Sequence, residues 1–169
     1  MQTTFTLKSQ IEKSWETGTV STNEYIFEPN NHTNVLLKEF FTEQNFKLAD
    51  FSKSMRNNSG KDHDFLGHAF NLTLIEPEDF KKRSLNELIT FINKLSGEGI
   101  NKADLQPEIK YITHLLEKAE TNDFYFISAN MFDLAHPKNK NGAFYTYYHL
   151  VIWINTKESK ITVCQIAME

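Results

Sequence analysis

A single cysteine, Cys164, leaves this 169-residue chain without an internal disulfide. That excludes a disulfide-framed scaffold and points to a reducing compartment. Glycine is scarce, with six copies, and none falls in a GxGxxG or GxxxxGK pattern. The phosphate-cradling loops of nucleotide enzymes are therefore missing. So are GxSxG, CxxC and the paired-cysteine zinc spacings. Arg56 and Arg83 are the only arginines in a chain of net charge −4. Nucleic-acid binders present basic surfaces whose arginines fork onto phosphates and bases, so no nucleic-acid partner is expected. No apolar run approaches the ~20 residues of a membrane-spanning helix. The opening stretch, MQTTFTLKSQIEKSWETG, has no apolar core of signal-peptide length. The expectation is a soluble cytoplasmic protein with no membrane partner and no cofactor.

What is plentiful is phenylalanine, with 14 copies spread along the chain, so the core should be rich in rings. A chain of this length buries roughly 70% of its unfolded surface and fits one domain, residues 1–169. Leu7, Ile11 and Trp15 recur every four residues and predict a short amphipathic helix ending near Gly18. Glu24–Phe27 reads as a short strand. A second helix is expected from Thr33, its cap, through Leu36, Leu37, Phe40 and Phe41. His68–Ile75 alternates and reads as a strand. Ser84 and Glu87 form a capping-box pattern ahead of Leu85, Leu88, Ile89, Ile92 and Leu95, at helical spacing. Pro107 can open another helix, with Ile109, Ile112, Leu116 and Ala119 on its inner stripe.

The last third is strand-like: residues 124–132, 143–155 and 160–168, with an Asn141-Gly142 turn signal. The fold expected is α+β: a mostly antiparallel sheet closing in a C-terminal three-stranded meander, with helices packed on one face. One parallel neighbour remains open for the strand at 68–75.

Three constellations carry chemistry. Asp62, His63, Asp64 and His68 sit within seven positions. His63 and His68 are about 140° apart on a helix and on opposite faces of a strand, so no regular element brings both to one metal. The reading preferred is a polar turn running into a strand, and no metal site is assigned. His149 and Cys164 form the second. If Asn155 pairs with Lys160, they become diagonal neighbours on one sheet face, where an imidazole could activate a thiol. Cysteines in mid-sheet are more often inert small hydrophobes.

The third is the face carrying Tyr145, Tyr147, His149 and Trp153, rings with polar tips that suit a binding surface. A covering layer of helices is the plain alternative. His136 and Lys138 add a basic loop beside it, and FKKRS (80–84) a second basic run. Small size, mild acidity and a ring-rich face suit a non-catalytic, protein-binding role such as that of immunity, antitoxin or inhibitor proteins. A small metal-dependent or Cys-His hydrolase, and a small-molecule pocket between sheet and helices, are the alternatives.

Overall fold

The computed structural model describes residues 3–28, 33–42, 65–66, 70–71, 77–95, 101–121, 123–130 and 147–168. Along the chain lie β1 (Phe5–Trp15), β2 (Gly18–Phe27), α1 (Thr33–Thr42), β3 (Phe65–Leu66) and β4 (Phe70–Asn71). A 3-10 turn (Pro77–Asp79) leads to β5 (Lys81–Arg83), α2 (Leu85–Ile92), α3 (Gln106–Glu117), β6 (Phe124–Asn130), β7 (Tyr147–Asn155) and β8 (Lys160–Met168). Six strands form one sheet in the order β1-β2-β8-β7-β6-β5, and every described pairing is antiparallel. The expected C-terminal meander is β6-β7-β8, and no parallel neighbour occurs among the described strands.

The meander's last hairpin has the anticipated register. Asn155 pairs with Lys160, Val151 with Cys164 and His149 with Ile166. Asn155 sets the turn: its Oδ1 accepts from the backbone N–H groups of Lys157 (3.1 Å) and Glu158 (3.2 Å). Ser159 closes the loop at φ 51°. From Tyr148 to Asn155 every side chain of β7 is buried, as in a strand covered on both faces.

Both faces are indeed covered, which corrects the expectation of helices on one side. α1 packs Leu36, Leu37, Phe40 and Phe41 over Phe5, Tyr25, Tyr148, Leu150 and Ile152. Phe40 lies edge-on to Phe5 (5.1 Å between ring centres) and to Tyr25 (5.0 Å). On the other face α2 and α3 bury Leu88, Ile92, Ile109, Ile112 and Leu116 against Val151, Trp153, Cys164 and Ile166. Each such buried aliphatic chain contributes about 2 kcal/mol of hydrophobic stabilisation.

The helix expected at Leu7–Trp15 is instead β1, the outer strand of a hairpin with β2. Ile11 and Trp15, four apart, share a strand face as readily as a helical turn, so that spacing could not discriminate; Leu7 lies on the other face because the ladder skips Lys8. Leu7 and Ile11 are half exposed, which suits an outer strand. α1 begins at Thr33 itself, and Glu24–Phe27 is the end of the longer β2. The strand anticipated at 68–75 is described only at Phe70–Asn71, paired with Phe65–Leu66.

Candidate functional site

β5 is a three-residue outer strand, with Arg83 opposite Phe124 and Lys81 opposite Phe126. The chain turns from it directly into α2. Ser84 makes this turn possible: its Oγ accepts from the Glu87 backbone N–H (3.3 Å), and Glu87 Oε2 accepts from the Ser84 N–H (2.8 Å). This reciprocal box satisfies donors that a helix start leaves open. It also occupies the Glu87 carboxylate, whose pKa is lowered first by the bond from the Ser84 backbone. Arg83 Nη1 stands 3.7 Å from Glu87 Oε1, a loose pair.

α2 buries Leu88 and Ile92 and leaves Phe91 on the flank of that stripe. Phe91 meets Phe126 of β6 edge-on at 4.9 Å. Phe91 and Phe126 together line an open, mostly apolar groove of about 520 Å³, with Leu88 in its wall and Arg83, Asn86, Glu87 and Lys94 around it. Its size falls within the range of ligand pockets, and its openness to solvent suits an inserted side chain better than an engulfed molecule.

His149 is the floor behind those rings. It meets Phe91 edge-on at 5.1 Å and stacks on Phe126 at 5.9 Å. Its Nδ1 lies 2.9 Å from Ser128 Oγ, the residue directly opposite on β6. Only 1% of His149 is exposed, and burial pushes its pKa down to about 3. It is neutral at ordinary pH, and so weak a base gives little general-base assistance to Ser128 near pH 7.

Cys164 lies on the same face, diagonal to His149, as the register predicts. It is fully buried, and burial raises its pKa to about 12. A thiol that holds its proton this firmly, beside an imidazole that will not take one, makes no thiolate nucleophile. The pair thus has the diagonal placement expected of it, but both groups are buried and neither is poised to ionise.

The proposed surface residues divide. His149 and Trp153 (5% exposed) are enclosed beneath α2 and α3, which corrects their assignment to an exposed face. The helices of the α2–α3 pair needed somewhere to bury their own stripes, and this sheet face received them. Tyr147 is described in its backbone alone, opposite Asn130 and Met168. His136, Lys138 and Tyr145 lie outside the described residues, as do Asp62, His63, Asp64 and His68. Among the described residues no group of three or more His, Cys, Asp or Glu side chains could hold a metal ion.

Of the groove residues, Phe91, Phe126 and Lys94 were not singled out from sequence, while Arg83 stood out only as part of the basic run 80–84. Phe91 carried a signal: a large ring one position off the Leu88–Ile92 stripe must be half buried or must serve a surface. The chain matches no protein-family model, no curated protein and no solved structure.

Proposed function

We propose that this chain acts by binding another protein, in the manner of a small inhibitor, antitoxin or immunity protein, and that the Phe91–Phe126 groove is the centre of the contact. The observation that carries this is an open apolar groove, walled by two rings, around which sit two cations and one carboxylate. Interface centres are commonly built from such ring-lined, desolvated pockets. Tyr147, Tyr145, His136 and Lys138 belong to the chain that leaves β6 at Asn130 and returns at β7. They are proposed as further contacts of the same partner. His149 and Trp153 take the supporting role, holding β7 rigid beneath α2.

The test uses a photo-crosslinking residue in place of Asn86, in the cells that normally make the protein. The captured partner is then purified and titrated against the full chain. Phe91→Ala should weaken binding at least tenfold, and Tyr147→Ala should weaken it measurably. If neither change alters the affinity for the purified partner, or no partner crosslinks, the reading fails.

A small-molecule pocket is the second reading, favoured by the groove's volume alone. It predicts tight binding of a free metabolite, with no dependence on Tyr147.

A further inference from the structure

We propose that the groove receives an acidic segment of its protein partner: a large aromatic or aliphatic side chain packs into the groove against Phe91 and Phe126, and a neighbouring carboxylate lies on Arg83 and Lys94. This rests on the protein-binding reading and names the chemistry of the partner. Four observations point the same way.

The first is charge. The chain carries a net −4, yet this rim presents Arg83 and Lys94. Glu87 lies on the same wall and keeps its negative charge, held by the Ser84 backbone N–H and hydroxyl at 2.8 Å each, so two cations and one anion leave the rim net positive in a net-negative chain. The second is availability. Arg83 keeps its guanidinium largely free, since its ion pair with Glu87 spans 3.7 Å and the side chain is 40% exposed. A planar guanidinium is suited to take a carboxylate on two nitrogens. Lys94 has no ion pair among the described residues. Lys82, by contrast, is already held by Asp123 at 2.8 Å.

The third is the polar row. Asn86 and Thr90 lie one turn apart on one side of α2, and Lys94 follows in the turn after the helix. An extended peptide crossing that row finds hydrogen-bonding groups for its backbone. The fourth is the floor. Phe126 rests on His149, stacked at 5.9 Å, so the ring that walls the groove is backed by a packed side chain. Two cations are too few for a nucleic-acid backbone, which fits the chain's acidity.

The experiment compares three probes on the full ¹⁵N-labelled chain: N-acetyl-tryptophan, its neutral amide, and N-acetyl-alanine. N-acetyl-tryptophan should bind saturably with a Kd in the millimolar range, moving the amide signals of Asn86, Phe91 and Lys94. The neutral amide should bind at least fivefold more weakly, and N-acetyl-alanine not saturably. The double variant Arg83→Gln/Lys94→Gln, with an otherwise unchanged spectrum, should bind the acid no better than the amide. Phe91→Ala should abolish both. Equal binding of acid and amide overturns the carboxylate assignment. Absence of saturable shifts in α2 up to about 20 mM acid overturns the groove as an anchor site. Neither result decides whether the chain binds a protein, which the crosslinking measurement decides on its own.

Discussion

His149 is neutral because burial removes water from its ring, and this has a consequence for stability. Its folded pKa, about 3, lies below the ordinary 6.5. Between those values the unfolded chain binds a proton that the folded chain refuses. Stability therefore falls as pH drops from 6.5 towards 3, by up to about 1.4 kcal/mol per pH unit from this residue. Urea titrations at pH 7, 6, 5 and 4 should show that slope in the native chain. His149→Gln should flatten it while lowering stability overall; an unchanged slope would locate the effect elsewhere. Glu108 works in the opposite sense. Its side chain is buried, Thr17 donates to Oε2 at 2.5 Å, and desolvation raises its pKa. Its contribution is present at low pH and is lost as pH rises. The variant comparison separates the two, since Glu108 is common to both proteins.

Among the elements, β1 is the long strand with most of its residues open to solvent. It is an outer strand of eleven residues, and such strands invite pairing with other chains. Lys8 interrupts it: Leu7 pairs with Tyr25 and Ser9 with Glu24, so Lys8 is left over in a bulge. A bulge bends and twists the strand, and a lysine there adds charge at the edge. Deleting Lys8 would restore a regular ladder without reversing any side chain's face. The expected result is concentration-dependent association in sedimentation velocity, with monomer stability altered by less than about 1 kcal/mol. A shortened chain that stays monomeric at every concentration would show that the bulge does not guard this edge. α2 is the contrasting case, since its capping box was plain in Ser84 and Glu87 before any coordinates and its start stands where the box requires.

Across the molecule, three distant stretches of chain converge on Gly18. It opposes Trp15 in β1 and Met168 in β8. A Cβ placed there would collide with the Ala167 carbonyl oxygen and come within 2.8 Å of Glu108 Oε1 and 3.1 Å of Met168 Cα. The obstacle is backbone, so it cannot swing aside. Gly18→Ala should cost roughly 2–3 kcal/mol by overpacking, measured as a lower urea midpoint at unchanged slope. A midpoint equal to the native one would mean that the N-terminal hairpin, α3 and the C-terminal strand are not locked together here. This junction ties the first hairpin to the last strand and makes β2 an inner strand of the sheet.

Local chemistry was enough to reveal much of this protein. The box at Ser84 and Glu87, Pro107 at the start of α3, and the β-branched and aromatic run of β7 each act within a few residues, through hydrogen bonds or side-chain sterics. The register of the last hairpin follows from its loop, so the residues sharing His149's face could be named in advance. Long-range packing settled the rest. A period of four fits both helix and strand, and β1 became a strand because β2 was there to pair with it. Rings on a sheet face look the same whether solvent or a helix lies over them. His149 and Trp153 are covered because α2 and α3 bury their own apolar stripes on that face, and the groove exists because Phe91, one position off the stripe, meets Phe126 from a segment 35 residues away.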